Sequence, residues 1–125
     1  AINEPSGGAS RFFYCAKASK SERNLGCEGF EDGKPVRWNK AGVWTNDTTP
    51  AKNNHPTVKP VLLLQYLIKL VSKEGAVVLD PFVGSGSTLI ACQKLSRKWI
   101  GIEKELDYIK IAKARIKPFL EQQTL

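Results

Sequence analysis

Two acids and a pair of glycines carry the clearest chemical signal in this chain. Asp80 closes the apolar run Ala76-Val77-Val78-Leu79, and Pro81-Phe82-Val83-Gly84-Ser85-Gly86-Ser87-Thr88 follows it. Glu103 closes a second stretch, Lys98-Trp99-Ile100-Gly101-Ile102, about 20 residues after the glycine bend. Glycines without a Cβ permit a tight turn and let a ligand approach the backbone closely. An acid at this offset accepts hydrogen bonds from ribose hydroxyls in doubly wound folds. Glu103 has a second reading, as a surface acid favouring the positive end of the helix that follows. Joined to the glycine bend, ribose binding is the stronger of the two. The pattern is that of a site for a nucleoside-bearing cofactor.

The elements that must position these groups follow from the same residues. Ala76–Leu79 is short and rich in β-branched residues, as expected for a strand buried on both faces of a parallel sheet. Ser85, Ser87 or Thr88 is expected to cap a helix running to about Arg97. Lys98–Ile102 is the next strand. Upstream, Pro60 suits the first position of a helix that reaches about Lys73 and is ended by Gly75. The bend is not a P-loop, because no lysine follows its glycines. It is not the dinucleotide fingerprint either, because Leu89 stands where the third glycine belongs.

With Asp80-Pro81-Phe82 opening the loop and Asn54-His55-Pro56-Thr57-Val58-Lys59-Pro60 lying just before it, the chain resembles the amino-methylating DNA methyltransferases. These use S-adenosylmethionine to modify adenine N6 or cytosine N4. The order is similar to the permuted class, in which the cofactor half follows the catalytic half. The resemblance is specific from about Asn54 to Glu103 and extends from about Arg11 to the C-terminus. It implies a cofactor-binding set of His55, Thr57, Lys59, Asp80, Phe82, Gly84, Ser85, Gly86, Thr88 and Glu103. Asp80 would lie near the methionine amino group, Phe82, Gly84 and Gly86 would form the loop around the cofactor, and Glu103 would hold the ribose. His55, Thr57 and Lys59 match the segment that closes over the methionine end. For His55 a second reading is a loop histidine whose ring only braces the backbone. The implied fold class is α/β, a partial Rossmann-like methyltransferase fold with a mainly parallel sheet flanked by helices.

The catalytic signature of that family, Asp/Asn/Ser-Pro-Pro-Tyr/Phe/Trp, occurs nowhere in the 125 residues. The only Asp-Pro is Asp80-Pro81, inside the cofactor loop, so no catalytic residue is assigned. The expectation is the C-terminal half of a methyltransferase, inactive alone, whose partners are double-stranded DNA and a missing N-terminal catalytic half or partner chain, with a homodimer as another option. The absence of methionine, even at position 1, agrees with truncation. Two other classes fit less well. One is a non-catalytic DNA- or partner-binding module that keeps the fold but has lost the cofactor. The other is a nucleotide-dependent doubly wound enzyme, which Leu89 and the His55-Pro56-Thr57 match disfavour.

The remaining features bound this reading. Net charge is +7, from 19 Lys and Arg against 12 Asp and Glu, which suits an anionic partner such as DNA phosphate. The charge is spread out, and Lys110, Lys113, Arg115 and Lys117 read as the solvated face of a last helix. Leu106, Ile109, Ala112 and Ile116 recur at helical spacing as its buried stripe. Cys15, Cys27 and Cys92 have no close pairing, so no disulfide framework is expected, and no metal site either, the alternative being a zinc site in which His55 joins Cys15 and Cys27. Cys92 falls in a helix as a small buried residue. No stretch is long enough for a membrane and no signal-peptide pattern occurs, so a cytoplasmic location is expected. Ala1–Ser10 reads as a loop, Arg11–Lys17 as a strand, and Ala18 to about Asn54 as long loops anchored by Trp38 and Trp44. The resemblance to the permuted class implies that residues 1–54, a loop-rich segment with one strand, are a remnant of the DNA-recognition region; the alternative is an irregular loop that its tryptophans only anchor to the core. It also implies that residues 55–125 are the cofactor half-domain. With few parallel strands, such a half should leave apolar sheet surface bare.

Overall fold

The computed structural model of the chain describes residues 17–33, 36–38, 41–46 and 51–122. The expected N-terminal loop and residues 11–16 of the expected first strand, Cys15 among them, lie outside this range. The described residues form a mixed α/β structure. Helix α1 spans Lys20–Asn24, and strands β1 (Val36–Trp38) and β2 (Trp44–Asn46) follow. Then come α2 (Val61–Val71), β3 (Val77–Asp80), α3 (Ser87–Lys94), β4 (Lys98–Gly101) and α4 (Leu106–Glu121). β1 and β2 are antiparallel, with Trp38 and Trp44 in register. β3 and β4 are parallel and joined through α3, with Val78 opposite Trp99 and Asp80 opposite Gly101. Among the described residues the parallel sheet therefore has two strands.

The core is built around α3. Leu89, Ile90, Ala91 and Cys92 are buried there and pack with Val61 and Ile68 of α2 and Ile116 of α4. Val78, Val83 and Trp99 close this cluster from the sheet side. Alternation along the strands explains which face packs, since successive side chains point to opposite faces. Val78 and Trp99 face the core, whereas Val77, Leu79, Ile100 and Ile102 are each more than half exposed. The expectation of a strand buried on both faces is therefore corrected: one face of β3–β4 is bare. Helix α2, almost wholly apolar, buries only Val61 and Ile68, leaving Leu62 77% and Tyr66 62% exposed. A helix apolar all round normally lies within a larger core.

Several element boundaries differ from expectation for identifiable reasons. α3 stops at Lys94, and Ser96 at φ 56 turns the chain before Arg97. Pro60 is the residue before α2 rather than its first. α2 ends at Val71 with Ser72 as its cap, and Gly75 (φ 75) serves the following turn into β3. The stretch expected as long loops contains α1, whose Ser19 hydroxyl accepts the Glu22 N–H at 3.1 Å. Ser19-Lys20-Ser21-Glu22 has the Ser-x-x-Glu capping pattern, a sequence signal for this helix. In α4 the buried residues are Ile111, Ala112, Arg115 and Ile116, while Leu106 is exposed. Arg115 thus sits on the inner face, not the solvated one, one helical turn from Ile111 and Ala112.

Candidate functional site

The parallel ladder continues past the formal strand ends and brings the two acids to one edge. Ile102 N–H donates to the Asp80 carbonyl at 2.9 Å, and Val83 N–H donates to the Ile102 carbonyl at 3.0 Å. Asp80 and Glu103 therefore stand side by side at the carboxyl ends of the neighbouring strands β3 and β4. That crevice is where open α/β sheets bind ligands. A cavity of about 340 Å³ opens there, lined among others by His55, Asp80, Gly84, Thr88, Glu103 and Tyr108. Thr57, Lys59, Phe82 and Ser85 complete the expected residues on its walls. Gly86 is the exception, lying beneath the loop against α4. The size is at the lower end of the range for small-molecule sites.

Both glycines are needed for geometry. Gly84 (φ 51) and Gly86 (φ 81) are left-handed, a conformation costly for residues with a Cβ. A Cβ on Gly84 would meet His55 Nε2 at 2.7 Å, and one on Gly86 would meet Ala112 at 3.1 Å. The loop is thus clamped between the His55 ring and α4. Gly86 is the residue before α3 and no side chain caps the helix, so none of Ser85, Ser87 and Thr88 acts as the expected cap. Ser85 and Ser87 instead accept hydrogen bonds from Arg115.

Glu103 is an acceptor held in place by three backbone donors. Gly84 N–H reaches its Oε2 at 3.0 Å, and Lys104 and Glu105 N–H reach its Oε1 at 2.9 and 3.1 Å. The Glu105 N–H first, with those of Gly84 and Lys104 and the His55 charge, holds the carboxyl below its ordinary range against an opposing desolvation effect. A carboxylate offers about four lone-pair sites. Three are in use, which leaves Oε2 able to accept from a ligand hydroxyl. Asp80 accepts the Phe82 N–H at 3.0 Å through Oδ1, and Phe82 itself is 87% exposed at the loop tip.

His55 forms the facing wall. Its Nδ1 accepts the Thr57 N–H at 3.2 Å, which puts the proton of the neutral ring on Nε2. Its ring meets Tyr108 edge-on at 4.4 Å. Burial lowers its pKa, outweighing the raising effect of Glu103. The His55 ring lines the cavity and also braces the Thr57 backbone. Two further residues, Tyr108 and Asn53, escaped the sequence reading, and a third, Arg115, was expected on the solvated face. Tyr108 lines the cavity. Asn53 is fully buried, donating to the Arg23 carbonyl at 2.7 Å and accepting the His55 N–H at 3.0 Å. Arg115 is 0% exposed and supports the loop from below. No group of three His, Cys, Asp or Glu able to hold a metal occurs among the described residues.

A second cavity, of about 380 Å³, lies between α1, α2, α3 and α4, lined by Leu25, Val61, Leu62, Ile90 and Phe119 among others. Its lining also includes Glu22, Lys94 and Arg115, whereas the first cavity has the three carboxylates Asp80, Glu103 and Glu105 beside the glycine loop. Convergent polar groups, rather than size, mark a ligand site.

Comparison with known proteins is consistent across sequence and structure. Residues 5–114 match the N6/N4 family described as DNA methylase. The type II methyltransferase M2.LlaDCHI of Lactococcus lactis subsp. cremoris is 43% identical over 91 residues, covering 70% of this chain and 32% of the relative. M2.DpnII of Streptococcus pneumoniae, also a type II methyltransferase, is 43% identical over 89 residues, covering 68% of this chain and 32% of the relative. The crystal structure of an M1.HpyAVI–SAM complex superposes with a TM-score of 0.50 at 33% identity, covering 70% of this chain and 44% of that one. The chain spans about a third of the length of these curated relatives.

Proposed function

This chain belongs to the N6/N4 family of DNA methylases, and on that footing we propose that it is the cofactor-binding portion of a site-specific DNA amino-methyltransferase. The observation that carries the proposal is the convergence of Asp80, the Gly84–Gly86 loop, Glu103 and the His55–Lys59 segment on one cavity at the strand ends. S-adenosylmethionine, when bound, supplies a methyl group on a sulfonium. The chemistry of the donor set suits it: Glu103 has a lone pair for a ribose hydroxyl, and Asp80 offers a carboxylate to an ammonium. The glycine loop admits close backbone approach, and His55, fixed by Thr57 and Tyr108, limits the opposite wall. Residues 55–125 then act as a partial Rossmann-like half-domain, and residues 1–54 as part of the DNA-recognition region.

What the chain's residues contribute to methyl transfer is alignment, a large part of the barrier reduction in a bimolecular displacement. Activation of the exocyclic amino group belongs to a separate segment or chain carrying the Pro-Pro-aromatic tetrapeptide, which these 125 residues lack. The target base in duplex DNA must also be flipped out to reach the methyl group. The bare face of Val77, Leu79, Ile100 and Ile102, with the exposed apolar side of α2, supports a half-domain that packs against such a partner. An excess of positive charge supports DNA as substrate.

Calorimetric titration with S-adenosylhomocysteine tests the proposal. Saturable binding is expected, weakened at least about tenfold by Asp80→Ala, the loss of one charge-assisted contact. Absence of binding to a folded chain, or equal binding by the variant, would remove the cofactor role.

A further inference from the structure

We propose that Arg115 and helix α1 are the positioning device of the cofactor site, Arg115 holding the glycine loop from beneath and α1 tying that loop to the His55 wall. The inference rests on the functional reading above. Arg115 Nη1 donates to the Ser85 carbonyl at 2.7 Å and to the Ser85 and Ser87 hydroxyls at 3.1 Å each. Its Nη2 donates to the Glu22 carbonyl of α1 at 3.1 Å. α1 in turn grips the opposite wall. Arg23 Nη2 donates to the His55 carbonyl at 3.1 Å, and the Asn24 carboxamide oxygen accepts the Asn53 N–H at 3.1 Å. The Glu22 carboxylate accepts the Val61 N–H at 2.7 Å, fixing the start of α2.

The location of the charge argues for a role beyond filling space. A buried guanidinium carries a large desolvation cost, and an apolar residue of similar volume often stabilises a core at least as well. Arg115 receives no hydrogen-bonded carboxylate in return; its guanidinium contacts are neutral oxygens, and its Nε has none. Three of the four contacts converge on the bend that must keep two left-handed glycines in register with Glu103. The planar fork divides between two elements, Nη1 serving Ser85 and Ser87 and Nη2 serving the Glu22 carbonyl of α1, a span that the single nitrogen of an ammonium does not bridge. Arg115 touches neither the cavity at the strand ends nor a reacting atom, so it acts through Ser85 and Ser87.

Arg115→Met and Arg115→Lys, compared with the unaltered chain, test this by S-adenosylhomocysteine titration, thermal melting and amide hydrogen exchange. Both variants are expected to retain a cooperative melt, bind about tenfold or more weakly, and exchange faster at residues 84–88 and in α1 with β3–β4 and the C-terminal half of α2 unchanged. Affinity within about twofold of the unaltered chain, or exchange raised throughout the molecule, would overturn the proposal by making Arg115 merely structural. If Arg115→Met does not fold, Arg115→Lys reads the same quantities. If the unaltered chain itself fails to bind, the cofactor reading falls, and exchange at 84–88 still decides whether Arg115 holds the loop.

Discussion

At the scale of single residues, two titrating groups tie the site to stability. Glu103 is stabilised as a carboxylate by the Glu105, Gly84 and Lys104 amides. A depressed carboxyl pKa contributes stability above the ordinary glutamate range that is lost as pH falls through the folded value. Burial likewise depresses His55, so the unfolded chain takes up a proton first. The folded state then loses stability as pH drops through the ordinary histidine range. Denaturant unfolding against pH should therefore show two acid-side losses. His55→Gln is expected to remove the one nearer neutrality and Glu103→Gln the one at lower pH. Glu103→Gln should also cost about 1 kcal/mol at neutral pH, the usual net contribution of a hydrogen bond. An unchanged profile in both variants would mean that neither interaction operates in solution. Asp80, Gly84 and Glu103 were legible because acid and glycine chemistry leaves a local signature. Arg115, Asn53 and Tyr108 were not, because their partners lie tens of residues away.

At the scale of elements, the glycine bend is where strand, loop and helix must agree. Gly86 lies at φ 81 with Ala112 closing the space above its Cα. Gly86→Ala combines left-handed strain with a clash against the α4 backbone, and should destabilise by about 2 kcal/mol. The unfolding midpoint would show this, and a change under about 0.5 kcal/mol, the usual surface value, would contradict it. β3, α3 and β4 were legible from apolar runs bounded by Gly and Lys-rich turns. The inner face of α4 was misread because Arg115 occupies a core position that its residue type argues against. Its spacing with Ile111 and Ala112 was the better guide. α1 was missed since five residues carry no periodicity, though its Ser-x-x-Glu cap was visible.

At the scale of the whole molecule, the family match, the partial coverage of relatives and the uncovered apolar surface agree. The bare sheet face could be anticipated from the small number of parallel strands, but not which strand residues it would expose. That followed only from register, with Val78 and Trp99 paired inward. The structure has other cavities, at least as large, and the central claim is that the acid-lined one at the strand ends holds the cofactor. Amide hydrogen exchange with and without saturating S-adenosylhomocysteine tests this most directly. Protection is expected at residues 55–59, 80–88 and 103–105. Protection confined to residues 21–25 and 61–65 around the second cavity, or none at saturation, would contradict it.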